Sequence, residues 1–321
     1  GTSPLKAIEK LPSVSFQSAD PFGTYEWSSR VSIRGFNQNQ LGYTLDGIPL
    51  GDSSYGNNNG LHIGRAIISE NIGVTRVSQG SGSIGTQATN NLGGTLEFFS
   101  ADPSDGFGVD ANLTYGSSNT MRAFGRINFG ESGGVRGFLS GVYHNADKWK
   151  GGGEQRSMHV NAKAIIPVGD AEFDGFFSYS DRAEQDYQDL SLAMIQRLGY
   201  DWDNLAPNWA LAQQIADIAN NRGDTGAPVT NVGAGTTYPS PIATVDDAYY
   251  DAGGLRDDNL GRLSYKADLT QDLSLSLTWP IFVGPTTLST ETELEAYAAT
   301  LGVRRVARTP ARWSADGLAQ P

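Results

Sequence analysis

Cysteine is absent from all 321 residues, which excludes a disulfide framework, a thiolate metal site and a cysteine nucleophile together. No apolar run reaches the roughly 18 residues of a transmembrane helix. The opening Gly1-Thr2-Ser3-Pro4 has neither the basic nor the apolar region of a signal peptide. Positive charge is scarce: 23 Lys and Arg face 35 Asp and Glu, for a net charge of -12. Such a chain repels a phosphate backbone, so nucleic acid is not an expected partner. The three histidines, His62, His144 and His159, are scattered without metal-triad spacing and are expected in loops, in a lumen or at an interface. Neither a Gly-x-Ser-x-Gly elbow, a His-Glu-x-x-His pair nor a Walker lysine occurs. No catalytic residue, metal site or cofactor is therefore expected, and the chain reads as a non-enzyme.

What is plentiful is glycine, 40 residues of it, beside only 38% hydrophobic residues, a balance that suits turn-dense β structure rather than helical bundles. From Phe107 the apolar positions fall on alternate residues: Phe107, Val109, Ala111, Leu113 and Tyr115. A period of two marks a strand with one oily face. The pattern returns in Met121 to Phe129, Val135 to Tyr143, Met158 to Ile166, Phe173 to Tyr179, Leu263 to Leu269 and Leu273 to Trp279, about seven strands in all.

The links between them alternate in length. Glu131-Ser132-Gly133-Gly134, Gly169-Asp170 and Thr270-Gln271-Asp272 are hairpin turns. On the other side lie Gly116 to Thr120, the Gly- and Lys-rich Asn145 to Arg156, and an excursion of roughly 70 residues, too long for a bare connection in a compact soluble domain. Short turns on one rim and long loops on the other are the pattern of an outer-membrane β-barrel, and aromatic residues near the strand ends suit interfacial girdles. A soluble β-sandwich uses the same alternation and stands as the alternative. The long excursion carries Asp181, Glu184, Asp186, Asp189, Asp246, Asp247 and Asp251 around a helical pattern at Leu211, Ile215 and Ile218. It reads as a solvated acidic loop or as a lid over a ligand, with cation binding a further option.

The first hundred residues differ in kind. Val31-Ser32-Ile33-Arg34-Gly35-Phe36 is followed by Tyr43-Thr44-Leu45-Asp46-Gly47-Ile48-Pro49-Leu50, by Glu70-Asn71-Ile72 through Val77-Ser78-Gln79-Gly80, then by Gly85 and Gly93-Gly94-Thr95-Leu96. In this order and spacing the segments resemble the plug domain of TonB-dependent outer-membrane receptors. The resemblance covers about residues 4 to 105 by motif and extends by pattern to Trp279. It implies a mixed α+β plug over residues 1–105, followed by antiparallel transmembrane strands over 106–280 with a long extracellular loop at about 182–256. The family's barrel has about 22 strands, so the chain holds an incomplete barrel. Residues 281–321 are expected to be an atypical tail, because Pro280-Ile281-Phe282-Val283-Gly284-Pro285 breaks the alternation and a basic stretch follows.

The resemblance further implies energised import of a scarce nutrient, such as a ferric siderophore, another chelate or a saccharide, across the bacterial outer membrane. A TonB-type protein of the inner membrane, outer-membrane lipid and a small-molecule ligand are the implied partners; the segment that touches the TonB-type protein is not in the chain. A secreted or surface β-sandwich module for adhesion or carbohydrate binding is the alternative function. The expected ligand contacts are apical plug loops: Arg34, Asn37, Gln38, Asn39 and Gln40, then Tyr55, Asn57, Asn58 and Asn59, which offer amides and one ring. Asn and Gly also favour turns in their own right, and Arg34 could instead form an ion pair between plug and barrel. Gly35, Asp46, Gly47, Gly80, Gly85, Gly93 and Gly94 are expected to shape the plug backbone. Gly80-Ser81-Gly82-Ser83-Ile84-Gly85 also spells a dinucleotide fingerprint, but no amphipathic helix follows, so these glycines read as turns.

Overall fold

The computed structural model describes residues 3–20, 22–23, 25–51, 61–80, 85–88, 91–151, 153–185, 187, 192, 195–196, 200, 253–270 and 273–286. The chain divides into two units: Gly1–Asn145, Arg156–Arg182 and Arg256–Thr286 form one, and Ala146–Gln155, Ala183–Leu255 and Thr287–Pro321 the other.

In the first unit, β1 (Val14–Gln17), β2 (Arg30–Ile33) and β3 (Phe36–Asn37) make a small antiparallel sheet. A second sheet orders β5 (Ile48–Pro49), β4 (Leu41–Leu45), β7 (Gly94–Ser100) and β6 (Ile72–Gln79). Strands β4 and β7 run parallel, Leu41 opposite Gly94 and Leu45 opposite Phe98. A parallel pair needs a crossover, which the intervening β5, α1 (Ile63–Ala66) and β6 provide. All five residues of β4 are buried, as befits a strand covered on both faces. The segment between β5 and α1 is tied at its base, where the Leu61 N–H donates to the Leu50 carbonyl at 2.7 Å and both side chains are buried.

Leu5, Ile8, Val31, Ile33, Leu41, Leu45, Leu96 and Phe98 pack into one core with Phe176 and Leu260, which come from strands beyond residue 106. Each large apolar side chain so buried contributes roughly 1.5–3 kcal/mol. The N-terminal domain therefore completes its core with side chains of the sheet that follows it.

That sheet is a seven-stranded antiparallel meander: β8 (Phe107–Tyr115), β9 (Met121–Ser132), β10 (Val135–Asp147), β11 (Glu154–Val168), β12 (Ala171–Gln185), β13 (Gly253–Thr270) and β14 (Leu273–Thr286). Every strand read from the alternation is present. The apolar set projects away from the N-terminal domain: Leu113 is 83% exposed, Val109 62% and Phe129 59%. The polar set projects toward it, with Asn161 at 0% and Arg122 at 6%. A sandwich in water buries its oily face and wets its polar one, so this sheet has the opposite polarity, that of a lipid-facing wall.

Bulges adjust the register at several points, two of which bear on the sequence reading. Phe138 pairs with Asn128 and Arg136 with Glu131, which leaves the extra residues in β9; Gly130 among them takes φ +76 and sits so close to the Phe107 nitrogen that a side chain would not fit. In the last hairpin Gly261 pairs with Phe282 and Arg262 with Pro280, so Ile281 is the inserted residue. This corrects the expected tail boundary at residue 281: β14 continues to Thr286, because the bulge absorbs the break in alternation at Pro280, which has no N–H to donate. Residues 287–321 lie outside the described residues.

Candidate functional site

The expected apical residues separate into two groups. Arg34 is exposed on a turn, with φ +52 and its N–H donating to the Ser13 carbonyl at 2.9 Å. Among the described residues it joins no ion pair, and the expected Arg34 pairing between plug and wall is not seen there. Gln40 Oε1 accepts the Asn37 N–H at 3.0 Å and Gln38 Oε1 accepts the Val31 N–H at 3.4 Å. These two amides shape the loop, while Asn37 and Asn39 stay exposed. Tyr55, Asn57, Asn58 and Asn59 lie outside the described residues, as do nearly all of the long acidic loop and its helical pattern.

Of the expected backbone-shaping residues, Gly35, Asp46, Gly47, Gly80 and Gly85 all take positive φ, as tight turns demand. Gly93 packs against the Phe36 side chain, and Gly94, at φ +134, lies against the Ser78 carbonyl. The Asp46 carboxylate does more than turn the chain: it accepts the Ser100 N–H at 2.8 Å and the Ser100 hydroxyl at 2.7 Å.

Between the N-terminal domain and the inner face of the sheet runs a buried polar seam, all within the first unit. Toward the long-link rim, Arg65 on α1 donates through Nε to Glu26 and through Nη1 to Asp258 on β13, each at 2.7 Å. Burial opposes the Arg65 charge, but the two carboxylates outweigh it and push its pKa up. His62 caps α1 by accepting the Gly64 N–H at 3.1 Å. Arg182 on β12 donates to the Gly64 carbonyl at 2.6 Å. Nearby, Arg122 on β9 clasps both oxygens of Glu70 at 2.7 and 2.8 Å. Burial works against the Glu70 anion, yet the Arg122 fork prevails and holds its carboxyl down at about 2.

The middle of the seam is uncharged. Asn161 Oδ1 on β11 accepts the Ile68 N–H at 2.8 Å and the Asn71 Nδ2 at 2.9 Å; Asn71 Nδ2 also donates to Ser140 Oγ at 2.7 Å. His159 Nε2 shares this layer with Ser178 Oγ at 2.7 Å. Toward the short-turn rim charge returns: Arg262 meets Asp174 at 2.8 Å and Asp46 at 3.1 Å, and Lys163 meets Asp102 and Ser100 Oγ at 2.8 and 2.9 Å. Burial opposes the Asp102 charge, and Lys163 more than offsets it, so its pKa is lowered. Arg136 completes the rim with Asp105 at 2.7 Å.

Sequence reasoning did not single out Arg65, Glu26, Asp258, Glu70, Asn71, Asn161, Lys163, Asp174 or Arg262 as partners. The available signal was the polar phase of each strand, which marks a wetted or polar-packed face but not its partner. The seam is built of hydrogen bonds and ion pairs. It holds two bodies together by directional bonds that water can replace, which an oily seal would not allow.

Residues 1–95 match the family model described as the TonB-dependent Receptor Plug Domain. Among curated proteins none matches the chain. Among solved structures it is similar to the siderophore receptor PiuA from Acinetobacter baumannii, with TM-score 0.52 and 15% identity over 87% of this chain and 33% of that one. It is similar to the FrpB iron transporter from Neisseria meningitidis, with TM-score 0.55 and 14% identity over 87% of this chain and 38% of that one. The ferric yersiniabactin uptake receptor FyuA from Yersinia pestis aligns with TM-score 0.51 and 15% identity over 85% of this chain and 37% of that one. The chain thus spans about a third of the length of the structures it matches.

Proposed function

We propose that this chain, whose residues 1–95 match the plug-domain model and whose fold resembles that of solved outer-membrane receptors, carries the plug and first barrel strands of a bacterial outer-membrane receptor for TonB-energised import of a scarce nutrient. A ferric siderophore or similar chelate is the substrate class this reading favours, since the structures it resembles are described as siderophore and iron transporters. The observation that carries the reading is the sheet's polarity: apolar residues such as Leu113 and Val109 face outward, and Arg122, Asn161 and Arg262 face a plug they hold through hydrogen bonds.

In this reading the plug blocks the lumen. Arg34, Asn37, Gln38, Asn39 and Gln40, with Tyr55, Asn57, Asn58 and Asn59, meet the ligand from below. A pull from a TonB-type protein exchanges bonds of the seam for water and opens a path. Lipid surrounds the outer face, and no bond-making chemistry is required.

The test is deletion of the encoding gene in its host, followed by growth on an iron chelator and uptake of radio-iron presented on a panel of chelates. Loss of uptake for one chelate class, restored by the gene, supports the proposal. Undiminished uptake for every chelate, with the product found in a soluble fraction, sinks it.

A further inference from the structure

The uncharged layer of the seam holds a chain of hydrogen bonds that runs in one direction. On its wall side Asn161 turns Nδ2 toward the Val160 carbonyl at 3.0 Å, Ser178 Oγ at 2.9 Å and His159 Nε2 at 3.2 Å. Ser178 Oγ lies 2.7 Å from the same His159 Nε2. On its plug side Asn161 Oδ1 receives the Ile68 N–H at 2.8 Å and Asn71 Nδ2 at 2.9 Å. A backbone N–H only donates, so the amide orientation is fixed, with oxygen to the plug and nitrogen to the wall. An amide nitrogen only donates as well, so His159 Nε2 accepts, and a neutral imidazole then carries its proton on Nδ1. The chain therefore runs from Asn161 Nδ2–H to the Ser178 hydroxyl to His159 Nε2. All three residues are buried.

We propose that His159, Ser178 and Asn161 form a reversible latch on the plug, a hydrogen-bond chain with two states of opposite direction. In the holding state Asn161 Oδ1 receives the plug's two donors. In the released state the Asn161 amide has turned over and the imidazole has changed tautomer, one proton leaving Nδ1 as one arrives at Nε2, with no net uptake. His159 Nε2–H then donates to Ser178 Oγ, and the Ser178 hydroxyl donates to Asn161 Oδ1. Every member of the chain is matched in both directions, and only the Val160 carbonyl gives up a donor. The wall thus parts from Ile68 and Asn71 without stranding a buried acceptor, the penalty that otherwise makes polar contacts hard to separate. The holding state is itself imperfect, since Asn71 Oδ1 is buried and finds no partner among the described residues. The clamps at Arg65 and Arg122 have charges of fixed sign and no second arrangement of this kind. A neutral amide between an imidazole and a hydroxyl has one.

The latch's part in import rests on the proposed function; its two hydrogen-bond states do not. The test is nitrogen-15 NMR of the histidine-labelled full chain in detergent micelles at neutral pH, which reports the ring nitrogen that carries the proton. The chain has three histidines, and loss of a signal in His159→Gln assigns the one of interest. The parent is expected to show His159 protonated on Nδ1. Asn161→Asp puts an acceptor where the amide nitrogen stood, so the chain must reverse and the proton is expected on Nε2; a side chain that only fills space does not move it. Hydrogen exchange at the Ile68 amide gives a second reading. His159→Phe should raise its exchange rate about tenfold, and His159→Gln, whose amide oxygen accepts, should stay within about threefold of the parent. If Asn161→Asp loses its β signal in circular dichroism, the parent tautomer and Ile68 exchange in the two His159 variants still decide. A proton on Nε2 in the parent, a tautomer unmoved by Asn161→Asp, or parental Ile68 exchange in His159→Phe overturns the proposal. Uptake that persists although the tautomer never reverses defeats only the latch, and reversal without any uptake defeats only the import reading.

Discussion

Arg65 and Asp258 stand 193 positions apart in sequence and meet at 2.7 Å, both buried. Their pairing, shared with Glu26, fixes the short helix of the plug to a strand of the wall.

Removing one member leaves the others charged and buried without a partner. Arg65→Ala is expected to destabilise the folded chain in detergent by about 3–5 kcal/mol, read as the urea midpoint. The triple change Arg65→Met, Glu26→Gln and Asp258→Asn should cost less than that single change, since no orphan charge remains. An Arg65→Ala midpoint equal to the parent's would show that the triad is not a clamp.

The Glu70–Arg122 clasp predicts a pH profile. The folded carboxyl sits at about 2 against an ordinary 4.5, so its contribution is fully present above 4.5 and is lost as pH falls toward 2. Stability measured between those limits should fall with acid in the parent and fall less steeply in Glu70→Gln. Identical slopes in the two proteins would argue that the clasp does not form.

Two glycines should respond differently to alanine. Gly94 holds φ +134 with the Ser78 carbonyl in the way of a side chain, whereas Gly47 holds φ +83 in open space. Gly47→Ala is expected to cost about 1–2 kcal/mol for the left-handed backbone alone. Gly94→Ala adds a backbone clash at the join of β6 and β7 and should cost clearly more; thermal melts of the two variants rank them.

Ile127 lies near the middle of β9, opposite Val109 and Leu139 on the outward face. In a bilayer Ile127→Arg should cost about 2–4 kcal/mol. Efficient refolding of Ile127→Arg into lipid vesicles would speak against a lipid-facing wall.

The strands of the sheet were legible because their information is local: Val109, Ala111 and Leu113 alternate whatever their neighbours do. The turns at Gly133-Gly134 and Asp46-Gly47 were legible for the same reason. The seam was not, because inward phase says that Arg122 and Asn161 face something polar, while Glu70 and Ile68 become their partners only once the chain has folded back. Local sequence likewise could not rank the plug's arginines. Arg34, beside a glycine in a motif, turned outward, whereas Arg65, in an unremarked stretch, became the buried clamp. The end of β14 was misread at Pro280 because the inserted Ile281 breaks the alternation there, and only the pairing with Gly261 and Arg262 on β13 shows that the strand runs on.

The tie from Leu61 to Leu50 has an evolutionary consequence. Because the backbone closes on itself at that point, residues 52–60 can lengthen, shorten or be exchanged while β5 and α1 keep their places. Selection can therefore rewrite that segment piecemeal, sampling new chemistry there while the inherited framework goes on folding as before.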